Sequence, residues 1–131
     1  MSTGVLFVSP HREHAAVLSR MLASHSVSIE HIADLAHARA EIQHGAYQVI
    51  LTEANLPDGT WLEVLELAHR VSPGSQVIVT DAGADPRFWA EVLNMGAYDF
   101  IAQPFATGEV QRILSNACTR AFAPKAATAA I

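Results

Sequence analysis

Five short runs of apolar residues recur along the chain, and each is followed by a segment whose apolar residues have helical spacing. The runs are Val5–Val8, Val27–Ile32, Val49–Thr52, Val77–Thr80 and Tyr98–Ala102. Continuous apolar runs of this length are typical of strands buried on both faces, as in a parallel sheet. The run Val27–Ile32 instead alternates apolar and polar side chains, which favours a strand nearer the edge of the sheet.

Capping residues predict where the intervening helices begin and end. The predicted boundaries are Ser9–Pro10 before the first helix, Asp34 and Gly45 around the second, the Thr60–Glu63 capping box before the third, Asp85–Pro86 and Gly96 around the fourth, and Thr107 before the fifth. Residues 53–59 are predicted to form a loop. Strands that alternate with helices pair in parallel through right-handed crossovers, so the pattern predicts an α/β fold with a doubly wound, five-stranded parallel sheet.

Composition narrows the class of protein. The 131 residues are 50% hydrophobic and 16% charged, which fits one folded domain over residues 1–122 and an alanine-rich tail or linker over 123–131. The single cysteine, Cys118, and the lack of a signal peptide at Met1–Val8 indicate the cytoplasm. No apolar run reaches the roughly 20 residues of a membrane helix. Eight Lys and Arg against 13 Asp and Glu argue against direct nucleic-acid binding.

Open parallel sheets bind ligands at the carboxyl ends of their strands, which selects the residues that follow each run. These residues are Ser9 and Pro10 after the first strand, Glu53 after the third, Thr80 at the end of the fourth, and Gln103 with Pro104 after the fifth. Any functional site of this fold is therefore expected to lie among these four loops.

The loops carry a resemblance to a known family. The five strand–helix units, Leu56–Pro57 followed by Gly59, Gly96–Ala97 and Pro104–Phe105 resemble the receiver domain of bacterial response regulators over residues 4–120. The resemblance implies a flavodoxin-like, CheY-like three-layer (βα)5 fold and a role in two-component phosphorelay signal transduction. It also implies a cis peptide bond at Gln103–Pro104.

The chain departs from this family at the residues that carry its chemistry. A receiver has two acids that bind Mg²⁺, an aspartate that accepts phosphate and a lysine that holds the phosphoryl group. In this chain Ser9 and Pro10 replace the two acids, Glu53 replaces the aspartate and Gln103 replaces the lysine. Only Thr80 matches the family pattern. Mg²⁺ prefers carboxylate and water oxygens, and phosphoryl transfer depends on positioning and offset charge. We therefore expect a pseudo-receiver that is not phosphorylated, binds no cofactor and is not an enzyme.

Several of these residues allow two interpretations. Glu53 is either a built-in mimic of the phosphorylated state that holds Thr80 inward, or a remnant that is hydrogen-bonded to Gln103 or water. Thr80 and Phe100 match the family's switch pair, yet they would also serve as a strand end and a core aromatic. His11 and His14 could join Glu53 as zinc ligands, or they could be solvated surface histidines.

The fourth helix has more apolar surface than one inward stripe requires. Trp89, Val92 and Leu93 are predicted to face the core, whereas Phe88, Val92 and Met95 form a second stripe. The second stripe is either a docking face or a widened core face. The resemblance favours docking, since receivers commonly pair or bind output domains through the fourth helix, fifth strand and fifth helix. Phe88, Trp89 and Met95 are the interface candidates.

Two functions from different classes remain open. The first is a module that acts through protein–protein contacts, with a protein partner, an output domain or a second copy. The second is a sensor of a small ligand in the vacated pocket, such as a nucleotide, a cofactor or a quinone-like molecule. The absence of a G-x-G-x-x-G motif disfavours flavin or dinucleotide binding.

Overall fold

The computed structural model describes residues 3–83 and 85–122. The strands are β1 (Thr3–Val8), β2 (Val27–Ile32), β3 (Val49–Glu53), β4 (Asn55–Leu56), β5 (Gly59–Thr60), β6 (Gln76–Asp81) and β7 (Asp99–Ala102). The helices are α1 (Arg12–Met21), α2 (Leu35–His44), α3 (Trp61–Val71), α4 (Pro86–Asn94) and α5 (Thr107–Arg120). Among the described residues, none of these helices is long and apolar enough to cross a membrane. The predicted tail 123–131 lies outside the described residues.

Five strands form one parallel sheet in the order β2-β1-β3-β6-β7. The predicted fold class is therefore confirmed, and β2 lies at an edge as its alternating pattern indicated. The chain runs outward from β1 to β2 and then returns to the other side of β1 with β3. The strand order thus reverses between β1 and β3, where ligands bind in sheets of this kind.

Two apolar layers enclose the sheet because successive side chains of each strand point to opposite faces. Leu6 and Val8 of β1 pack in one layer with buried residues of α2, α3 and α4. Val5 and Phe7 pack in the other layer with buried residues of α1 and α5. This three-layer packing fixes the strand ends, and with them the loops that carry the candidate site.

Two predicted helix starts and one predicted loop are wrong. Helix α1 begins at Arg12 rather than at Ser9–Pro10, because the Ser9 N–H still continues the sheet by donating to the Ile32 carbonyl at 2.9 Å. Thr107 is the first residue of α5, whose N-cap is Ala106. The predicted loop 53–59 contains the short antiparallel β4–β5 hairpin.

The predicted inward face of α4 is also partly wrong. Val92 is fully buried, but Trp89 and Leu93 are 39% and 43% exposed. Phe88, which was assigned to the second stripe, is partly buried instead, and its ring meets the rings of Trp61 and Phe100 at 5.8 Å each. Met95 is 51% exposed, so the apolar surface of α4 that remains open comprises Trp89, Leu93 and Met95.

Candidate functional site

The carboxyl edge of the sheet brings the predicted site residues into two hydrogen-bonded groups. Ser9 follows β1 and Glu53 ends β3, so they lie on either side of the point where the strand order reverses. Glu53 pairs in register with Thr80 of β6. Gln103 follows β7, and its N–H donates to the Asp81 carbonyl at 2.9 Å. The position of each residue thus follows from where its strand ends.

The first group is centred on the Glu53 carboxylate, which is only 7% exposed. The buried Ser9 hydroxyl donates a hydrogen bond to Glu53 Oε2. His14 Nδ1 on α1 lies 2.7 Å from the same oxygen and is placed to donate to it. The expected bond between Glu53 and Gln103 is wrong, since Ser9 and His14 are the described partners of Glu53 and Gln103 bonds to Thr80.

The second group holds Thr80, whose side chain is fully buried. Its hydroxyl donates to the Ile101 carbonyl at 2.7 Å and accepts from Gln103 Nε2 at 3.2 Å. No hydrogen bond joins Glu53 to Thr80 among the described residues, so Gln103 is the site residue that touches Thr80. The Gln103–Pro104 peptide bond is cis.

Phe100 is buried beside this second group. Its ring lies 5.8 Å from that of Phe88 and 5.5 Å from that of Trp89. Both members of the predicted switch pair, Thr80 and Phe100, therefore point into the protein. Pro10 is exposed and lies outside both groups.

The histidines do not assemble the zinc site considered above. The rings of His11 and His14 are 4.7 Å apart, and His11 Nδ1 lies 3.7 Å from the Glu13 carboxylate. Within residues 3–83 and 85–122, no three His, Cys, Asp or Glu side chains are placed to hold a metal ion. The structure gives His14 a different place, as the hydrogen-bond partner of Glu53.

Two adjoining cavities open at this edge of the sheet. A polar cavity of about 340 Å³ is lined by residues that include Glu13, Glu53 and Asp81. An apolar cavity of about 440 Å³ is lined by Val17, Pro104 and Phe105, among others. His14, Ala82 and Gln103 line both cavities. Sequence reasoning missed Asp81, although it directly follows Thr80 and the strand-end rule could have found it.

Comparisons with known proteins agree with this geometry. The family model of the response regulator receiver domain matches residues 5–115. The chain therefore belongs to the response regulator receiver domain family. No curated protein matches the chain significantly.

Solved structures of low sequence identity share the fold. The signal receiver domain of a putative LuxO repressor protein from Vibrio parahaemolyticus has a TM-score of 0.85 at 20% identity, with 92% of each chain covered. A CheY-like receiver domain from Methanospirillum hungatei JF-1 has a TM-score of 0.79 at 22% identity, covering 92% of this chain and 97% of that one. The beryllofluoride-activated NtrC4 receiver domain dimer has a TM-score of 0.82 at 23% identity, covering 88% of this chain and 96% of that one.

Proposed function

We propose that this receiver domain does not accept phosphate on Glu53 and acts as a pseudo-receiver through protein–protein contacts. The observation that carries the proposal is the hydrogen bonding of Glu53. Ser9, which stands where the family has an acid, donates to Glu53 Oε2, and His14 lies within hydrogen-bond distance of the same oxygen. The residue at the position of the family's phosphate acceptor, Glu53, is thus held by two residues of the same domain.

The surroundings of Glu53 also lack the charges that phosphoryl transfer requires. Gln103 replaces the lysine, and its side-chain amide donates a hydrogen bond to the Thr80 hydroxyl. Ser9 and Pro10 replace the acid pair, and among the described residues the carboxylates near Glu53 are not grouped so as to hold a metal ion such as Mg²⁺. Without the acid pair that would bind a metal and without the lysine, the charge that develops on the transferred group lacks the two cations that would offset it.

Intact-mass spectrometry tests this proposal directly. The full chain is incubated with acetyl phosphate and MgCl₂, and we expect no mass gain. The matched control is the same chain with the family residues restored, Ser9→Asp, Pro10→Asp, Glu53→Asp and Gln103→Lys, which should gain one phosphate. A phosphate located on Glu53 of the unaltered chain would overturn the proposal.

The switch pair supports a domain held in one arrangement. Thr80 and Phe100 are both buried, and Thr80 is bonded to Ile101 and Gln103 rather than to Glu53. We infer that Gln103, which is part of the protein itself, holds Thr80 where a phosphoryl group would do so in the family. This differs from the mimic interpretation, in which Glu53 holds Thr80.

We further propose that the domain works in the cytoplasm and docks through α4, β7 and α5, with a second copy as the partner. The exposed apolar side chains of Trp89, Leu93 and Met95 support this face, and the NtrC4 receiver relative is a dimer. Light scattering after size-exclusion chromatography should detect a dimer that Leu93→Asp dissociates. The control Asn94→Asp, at an exposed position on the same helix, should leave it intact. A monomer at all concentrations would contradict this face as a homodimer interface.

A further inference from the structure

The Glu53 carboxylate has a second oxygen that its own domain leaves open. Both described hydrogen bonds end on Oε2, and no described residue donates to Oε1. Buried carboxylate oxygens almost always have a partner. Every described side-chain oxygen or nitrogen that is fully shielded from solvent has a hydrogen-bond partner. Because Oε1 has none, it is not fully shielded, and it opens on the cavity that Glu53 lines. The cavity therefore contains a nearly buried carboxylate oxygen, Glu53 Oε1, that can accept a further hydrogen bond.

The carboxylates around this acceptor face no described Arg or Lys, and the basic residues that line the cavity are the histidines His11 and His14. Glu13 and Asp81 line the same 340 Å³ cavity, and no Arg or Lys is among its described lining residues. The Asp81 carboxylate accepts no hydrogen bond and makes no ion pair with any described residue. An anionic ligand such as a nucleotide or a phosphate would be repelled here, whereas a cationic donor would be attracted.

The adjoining cavity supplies the second part of a ligand site. Its walls of Val17, Pro104 and Phe105 are mainly apolar, and it meets the acidic cavity at His14 and Gln103. Small-molecule sites typically combine an apolar wall with a few convergent polar groups in a volume of about 300–1,000 Å³. The two cavities together offer such a combination, with the acidic groups at one end only.

We propose that this cleft binds a small organic cation, with its ammonium or guanidinium group at Glu53 Oε1 and its apolar body against Phe105. A hydrogen bond between a cation and a carboxylate is about twice as strong as a neutral one and would satisfy the open oxygen. The inference rests on the proposed function, because a phosphorylated site would fill this space with Mg²⁺ and a phosphoryl group. It makes the cleft a sensing site for a ligand class opposite in charge to a nucleotide.

Titrations with matched probes test the inference on the full chain. The cationic probes are 2-phenylethylammonium and benzylguanidinium, and the neutral and anionic counterparts are 2-phenylethanol and 3-phenylpropionate. Amide chemical shifts are recorded at about pH 8, above the ordinary pKa of histidine. We expect the cations alone to shift the amides of residues 53, 81, 103 and 105 in a saturable manner.

Variants assign the binding to particular side chains. Glu53→Gln should weaken binding of the cation tenfold or more, as the loss of a charge-assisted hydrogen bond predicts. Asp81→Asn tests the same charge effect without touching the Ser9 contact. Phe105→Ala should also weaken binding, whereas the control Glu66→Gln, at an exposed position on α3, should not.

Several results would overturn the inference. It fails if neither cation binds, if 2-phenylethanol binds as tightly, or if both Glu53→Gln and Asp81→Asn leave the affinity unchanged. It also fails if MgCl₂ saturates the same amides and displaces the cations. Its failure is separable from that of the proposed function, since the cation titrations do not report on phosphorylation, whereas a mass gain on Glu53 does.

Discussion

Replacing Ser9 by alanine is predicted to destabilise the domain, because one buried hydroxyl serves two neighbours. Ser9 Oγ donates to Glu53 Oε2 and accepts from the His11 N–H at 3.0 Å. Ser9 is fully buried, so water cannot readily replace the hydroxyl. The carboxylate would keep only its contact with His14.

The magnitude follows from these two bonds. A hydrogen bond to a charged group contributes about 1.5–3 kcal/mol and a neutral one about 1 kcal/mol, while alanine avoids the cost of burying a hydroxyl. The free energy of unfolding should therefore fall by about 2–3 kcal/mol for Ser9→Ala. The thermal midpoint should fall by roughly 8–12 °C for a domain of this size.

Urea denaturation followed by far-UV circular dichroism measures this change. The control Ser26→Ala, at an exposed position, should stay within about 0.5 kcal/mol of the unaltered chain. In a Glu53→Ala background the Ser9 hydroxyl has lost its carboxylate acceptor, so Ser9→Ala should then cost about 1 kcal/mol or less. The reasoning is refuted if Ser9→Ala alone costs less than about 0.5 kcal/mol, or if its cost is the same in both backgrounds.

Three further predictions concern the scaffold. On α4, Val92→Ala should cost about 2 kcal/mol, while Leu93→Ala, at the adjacent exposed position, should cost less than about 1 kcal/mol by urea denaturation; equal costs would contradict the described helix face. Gly74→Ala would place a methyl group against the Phe122 ring and should destabilise by about 1 kcal/mol, an effect that must vanish in a Phe122→Ala background. Hydrogen bonds from His37 lower the pKa of the Asp34 carboxyl below its ordinary value of 3.8, the backbone N–H having the larger effect and the side chain the smaller one. The cap therefore stabilises the fold above that pH, and this stabilisation is lost on acidification. Thermal melts should accordingly show Asp34→Ala less stable than the unaltered chain at pH 7 and indistinguishable from it once Asp34 is protonated; a difference that persists in acid would contradict this.

The fold was largely predictable because its pattern is strong. Buried parallel strands are continuous apolar runs, and β2 was found with its observed bounds from alternation at the sheet edge. The β4–β5 hairpin was missed because two-residue strands have no detectable period. The inward face of α4 was misjudged because neighbouring Phe88 and Trp89 allow two apolar stripes on a nine-residue helix. Both rings meet Phe100, but among the described residues Phe88 alone of the two also meets the ring of Trp61, and it is the more buried.

The site was predictable in its location but not in its bonding. The strand-end rule selected Ser9, Glu53, Thr80 and Gln103, which the sheet brings to one edge. It could not say that Ser9 and His14 share Glu53 while Gln103 turns to Thr80. That choice depends on where α1 lies against the sheet, and α1 begins two residues beyond the predicted Pro10.

The measurement that tests the central claim most directly is a titration of the ¹⁵N-labelled chain with beryllium fluoride and MgCl₂. This phosphoryl analogue reports on metal and phosphoryl binding together, and it does not depend on the lifetime of a covalent product. If Glu53 is held by Ser9 and His14 and the site lacks the acid pair and the lysine, the amides of Thr80, Phe100 and Gln103 should not shift. Saturable shifts of these amides, present in the unaltered chain and absent in Glu53→Ala, would contradict the account.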